Sequence, residues 1–146
     1  MKPVKSGTSK NSMYTSGIQA YQQALELNQQ LAAAKPDVSA FRGEIATNLN
    51  RTGAAHFALK DNAKALAAFE EALTLFTPLA KAEPTVVDWQ LGIVGSKYQM
   101  AQIVADQHDA LLQEAIAILK KLQQEKRLPD AYKTWPEEMR KALKSA

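Results

Sequence analysis

The sequence predicts an all-α protein, and three observations carry that expectation. Apolar residues recur at steps of three and four along most of the 146-residue chain. No stretch alternates apolar with polar residues over the length of a strand. A 26-residue segment with this helical spacing returns 48 positions later, and a period of that size is the signature of a repeat architecture.

The repeat lays residues 20–45 on residues 68–93. Ten of the 26 positions are identical, Ala20, Leu25, Leu31, Pro36 and Ile45 among them, and Tyr21 over Phe69 and Phe41 over Trp89 keep an aromatic side chain. Alanine-rich segments match by chance, but matched prolines and aromatics do not come from composition alone. A fainter third copy occupies residues 113–129 at offsets of 43 to 45.

Taken in order, a first helix over residues 16–34 sets Ile18, Tyr21, Leu25 and Leu31 near one face. A second, over 38–59 behind an Asp37 cap, carries Phe41, Ile45, Leu49 and His56. The third starts near Asn62 and holds Ala65, Phe69, Ala72, Phe76 and Leu79 in a 3.6-residue stripe, with Pro78 inside it as an expected bend. The fourth opens with Thr85 and Asp88 in capping-box spacing. It is apolar on two sides, Trp89, Ile93, Met100 and Val104 against Leu91, Val94, Tyr98 and Ala101, so it belongs between neighbours. The fifth, over 108–126, presents Leu111, Ala115, Ile118 and Leu122. The sixth begins at Thr134 with Glu137 as a capping box and buries Trp135, Met139 and Leu143. The links are short, so successive helices must run antiparallel as neighbours.

Composition excludes several function classes. With no cysteine there is no thiolate nucleophile, no cysteine-ligated zinc and no disulfide scaffold. No apolar stretch approaches the roughly 20 residues that span a bilayer, and the first residues lack the apolar centre of a secretory signal; the expected compartment is the cytoplasm. The net charge of +3 is unevenly laid out. Residues 120–146 hold eight basic and four acidic side chains and residues 1–10 hold three lysines, which leaves seven basic against eleven acidic between them. That is not a uniformly basic nucleic-acid surface.

Catalytic motifs are missing as well. The six glycines form neither a phosphate-cradling loop nor a dinucleotide fingerprint. His56 and His108 stand 52 residues apart, without metal-ligand spacing, so no metal and no cofactor is expected. His56 is expected to hydrogen-bond within its hairpin, and His108 to cap a helix or meet solvent. Adjacent acids such as Glu70 and Glu71 point to different sides of a helix. The expectation is a chain that is not an enzyme.

Leu49, Gly53, Ala65, Phe69 and Ala72 fall at a spacing that resembles the tetratricopeptide repeat, in which a small residue lets two helices approach and an aromatic fills the gap above it. Residues 65–93, ALAAFEEALTLFTPLAKAEPTVVDWQLGI, are similar to the lengthened repeats of bacterial tetratricopeptide proteins, and residues 115–143 resemble the closing helices of such arrays. The resemblance implies antiparallel hairpins stacked as a short solenoid: a flexible tail over 1–15, then a repeat domain over 16–146. That domain divides into a half repeat (16–36), two repeats (37–84 and 85–128) and a capping helix (134–145). The opening half repeat leaves an apolar face uncovered, to be met by a preceding part of a longer array, by the N-terminal tail or by another subunit.

The same resemblance implies a non-catalytic module that binds a protein or peptide partner in a concave groove. On its register the groove positions are Thr47, Asn50, Arg51, Ala54 and Phe57 of the second helix and Gly95, Tyr98, Gln99 and Gln102 of the fourth. Asn and Gln suit peptide amides, Arg51 suits a carboxylate, and Phe57 and Tyr98 offer rigid contact area. Two alternatives stand beside this reading. One is self-assembly into a homo-oligomer through the uncovered first helix. The other is nucleic-acid contact through Lys120, Lys121, Lys126, Arg127, Lys133, Arg140 and Lys141 with Tyr132 and Trp135.

Overall fold

A computed structural model describes residues 6–145. Six α-helices follow one another: α1 (Ser6–Ala34), α2 (Ser39–Ala58), α3 (Asn62–Ala82), α4 (Val87–Ala101), α5 (His108–Gln124) and α6 (Trp135–Ala142). Short 3₁₀ turns, Ala105–Gln107 and Asp130–Tyr132, precede α5 and α6. Each helix packs against the next, and α2 also reaches α4. The described residues contain no strand, and none of their helices is long and apolar enough to cross a membrane.

The first helix is longer than apolar spacing predicts. It begins at Ser6, so residues 6–15, expected as tail, are helical. Those residues are mostly Ser, Thr and Asn, which carry no apolar period to read but contain no proline to stop a helix. The tail's first five residues lie outside the described ones.

Two caps also differ from expectation. The N-cap positions of α2 and α4 are Val38 and Val86, and neither Asp37 nor Thr85 caps through its side chain. A side chain from inside each helix reaches back instead: Arg42 Nη1 donates to the Pro36 carbonyl at 2.6 Å, and Gln90 Nε2 donates to the Pro84 carbonyl at 2.8 Å. These pairs are 48 residues apart, and so are the backbone bonds around them. Lys35 N to Leu31 O matches Glu83 N to Leu79 O, both 2.9 Å, and Val38 N to Lys35 O matches Val86 N to Glu83 O, both 3.1 Å. The sequence repeat is thus also a repeat of loop geometry. In α6, Glu137 does not close a capping box with Thr134, because its carboxylate takes Arg140 Nε at 3.0 Å. Asp61 does cap α3, accepting from Lys64 N at 3.2 Å, and α3 runs on through the exposed Pro78 to Ala82.

Two apolar clusters form the core. One joins Ile45, Ala46 and Leu49 of α2 to Ala72, Phe76 and Leu79 of α3 and to Trp89 and Ile93 of α4. The other joins Ala65 and Phe69 of α3 to Val94, Met100 and Ala101 of α4, the buried face of α5, and Met139 of α6. Helix α4 supplies side chains to both, but not in the expected division: Met100, expected beside Trp89 and Ile93, joins Val94 and Ala101, Tyr98 is exposed, and the helix ends before Val104. Close helix approach depends on glycine at two of these contacts. A β-carbon on Gly53 would come within 2.7 Å of the Phe69 ring, and one on Gly92 within 2.5 Å of the Phe76 ring. Both distances are far inside van der Waals contact, so the aromatic occupies the space a larger residue would need.

The histidines depart from expectation in opposite ways. His56 is half-buried and makes no side-chain hydrogen bond among the described residues. His108 is buried rather than solvated, with Nδ1 2.9 Å from the Asp109 carboxylate.

Candidate functional site

A groove of about 710 Å³ lies between the first halves of α2 and α4. Its floor is made of Gly43, Gly92, Phe76 and Trp89, and its rim carries Glu44, Thr47 and Arg51 from α2, Glu83 from the end of α3, Asp88 from the first turn of α4, and Tyr132 from the turn before α6. One side of this arrangement is fixed by hydrogen bonds across the two helices. Asn50 Nδ2 donates to the Gly92 carbonyl at 3.1 Å, and the fully buried Ser96 hydroxyl donates to Asn50 Oδ1 at 2.7 Å. With its amide engaged at both ends, Asn50 holds the groove's shape. Tyr132 reaches the groove because Arg127 Nη2 donates to the Pro84 carbonyl, tying the stretch before α6 to the link before α4. Its ring stands edge-on to Trp135, with centroids 4.6 Å apart.

Trp89 is the unusual member of the floor. Its side chain is nine-tenths buried, and its Nε1 lies where a β-carbon on Gly43 would come within 2.4 Å. Glycine at 43 is what lets the indole edge rest against α2. The indole N–H finds no acceptor among the described residues, and it is not sealed from solvent, since no fully buried side-chain nitrogen or oxygen there lacks a partner. An N–H that solvent can reach carries no desolvation penalty, and an acceptor entering the groove would take the place of water on it.

The nine groove positions expected from the sequence are not gathered in one place. Thr47, Asn50 and Arg51 line the groove. The Thr47 hydroxyl donates to the Gly43 carbonyl at 2.9 Å. Arg51 is exposed and forms no ion pair among the described residues. Ala54 and Phe57, further along α2, pack half-buried against the cluster built on α3, α4 and α5. Tyr98 is 38% exposed in a separate hollow of about 220 Å³, beside Trp135, Glu138, Met139 and Ala142. Gly95 and Gln99 are half-buried and line neither hollow, and Gln102 spends its amide on the Tyr98 carbonyl at 3.3 Å.

Trp89, Glu44, Glu83, Asp88 and Tyr132 were not legible as site residues. Trp89 reads as core because it sits on an apolar stripe, and Tyr132 comes from a distant stretch of the chain. Of the residues considered for nucleic-acid contact, Trp135 packs half-buried on the core and Tyr132 is turned to the groove. Among the described residues no three His, Asp or Glu side chains stand close enough to hold a metal ion together. Comparison with protein-family models, with curated proteins and with solved structures finds no match.

Proposed function

We propose that this chain is a non-catalytic interaction module that holds a peptide segment of a protein partner in the α2/α4 groove. The observation that carries the reading is the groove itself: a trough braced by Asn50 and Ser96, with an open indole donor on its floor and unpaired charges on its rim. The 48-residue recurrence of loop bonds at the starts of α2 and α4 supports the tetratricopeptide-like reading, in which repeated hairpins present a groove along alternate helices.

A second reading is favoured by α1. Among the described residues, four of the six large apolar side chains that are exposed lie on it, Met13, Tyr14, Leu27 and Leu31, with Met13 at 72% and Leu27 at 58%. Met13, Gly17, Ala20, Ala24, Leu27 and Leu31 follow steps of four and three, the spacing of a helix–helix seam. On this reading a second copy covers the stripe.

One experiment separates the two. A peptide selected against the full chain should lose binding in Thr47→Trp, which fills the groove, and keep it in Leu27→Glu, with little change in melting temperature for either. Sedimentation across a concentration series should show association that Leu27→Glu abolishes if the second reading holds. Peptide binding that survives Thr47→Trp would remove the groove from consideration.

A further inference from the structure

The chemistry of the groove narrows what it takes. Three carboxylates, Glu44, Glu83 and Asp88, line it against a single cation, Arg51. None of the three forms an ion pair among the described residues; Glu83 accepts only the Ser39 hydroxyl, at 2.9 Å. Arg51 stands seven residues beyond Glu44 on α2, about 10 Å along the helix, so it does not neutralise the acidic end. The starts of α2 and α4 lie there too, and their partial positive charges, about half a unit each, offset only part of three full negative ones. An anionic ligand would enter against this field. Among the described residues no three His, Asp or Glu side chains are grouped to hold a metal ion, so these carboxylates do not form a metal-binding set. A cation on a long flexible stem needs no such grouping.

The second, independent observation is Trp89, a residue nine-tenths buried whose indole Nε1 lies against Gly43 on the groove floor, has no protein acceptor among the described residues and is open to solvent. It can donate to an oxygen at the same site where the rim attracts a positive charge. A peptide supplies both at once, a backbone carbonyl and a basic side chain. We propose that the α2/α4 groove recognises a Lys- or Arg-bearing stretch of the partner peptide, its cation held between Glu44 and Asp88 and one of its backbone carbonyls accepting from Trp89 Nε1. This assignment rests on the peptide-groove reading and gives that groove its specificity.

The test uses the full chain and short acetylated, amidated peptides that alternate glycine with lysine, with glutamate or with glutamine. The reporter is the pair of indole N–H resonances in a nitrogen–proton correlation spectrum, Trp135 serving as the internal reference outside the groove. The lysine peptide should shift the Trp89 resonance in a saturable way and move Trp135, which touches the groove only through the Tyr132 ring, by less. Glu44→Gln together with Asp88→Asn, both at exposed positions, should weaken that binding roughly tenfold. If the glutamate or glutamine peptide shifts Trp89 as strongly, or the double substitution leaves the lysine affinity unchanged, the basic specificity is overturned while the groove still stands as a peptide site. If no peptide moves Trp89, both the specificity and the groove reading fall.

Discussion

Phe69 shows what a single residue does here and how far sequence could reveal it. The ring is 1% exposed, sits over Gly53, and belongs to the cluster shared by α3, α4 and α5. Phe69→Ala would leave a cavity that helices pinned on both sides cannot close, so it should cost about 3–5 kcal/mol in chemical denaturation. The pairing of Gly53 with Phe69 was readable because both lie in one hairpin at a recognisable spacing. The placing of Trp89 on Gly43 was not, because it joins α2 to α4 across an intervening helix, and residue spacing carries no record of which distant glycine an indole meets. Asn50 was legible as a polar groove position but not as a brace, since its partners, Ser96 and Gly92, lie more than 40 residues away.

Helix interiors were legible and helix ends only in part. Stripes of apolar residues located α2 to α6, while the polar first turns of α1 and the valine N-caps of α2 and α4 gave no side-chain signal. The end of α2 holds a feature that periodicity also hides. Lys60 has φ 64°, with Lys60 N bonded to Phe57 O and Asp61 N to His56 O, a Schellman closure in which glycine is the usual residue. Helix α5 ends the same way at Lys126, φ 58°, with Arg127 N on Leu122 O. A lysine β-carbon is strained in this left-handed conformation. Lys60→Gly should therefore stabilise the protein by about 0.5–1 kcal/mol despite glycine's greater freedom in the unfolded chain, read as a higher denaturation midpoint at unchanged slope. A lower midpoint would show that the lysine stem contributes packing that outweighs the strain.

At the scale of the molecule, a row of neighbouring helices was predictable from the repeat, but the groove was not, because its walls come from three well-separated stretches of chain. The two ends of the row are also finished differently. α1 presents an apolar stripe, whereas the chain closes its other end by folding back on the start of α5. Asp109 makes that closure: its carboxylate accepts from Lys144 N at 2.9 Å, from Ser145 N at 2.8 Å and from the Ser145 hydroxyl, with His108 Nδ1 beside it. The backbone bond from Lys144 foremost, then the Ser145 hydroxyl, His108 and the Ser145 amide, hold the carboxyl well below the usual carboxylate range. A carboxyl whose folded value is depressed contributes stability above its unfolded value, about 3.9, and loses that contribution as pH falls through the folded value. The closure should therefore be complete at neutral pH and weaken only in strong acid. Amide exchange at Lys144 and Ser145 reads it directly. Protection should hold constant from neutral pH down to about pH 4 once the intrinsic pH dependence of exchange is removed, and decline below that. In Asp109→Asn, which retains one acceptor oxygen but no charge, protection should be lower at neutral pH and should not decline further on acidification. Equal protection in the two proteins at neutral pH would mean that packing of Met139 and Leu143, rather than the carboxylate, holds the end of the chain in place.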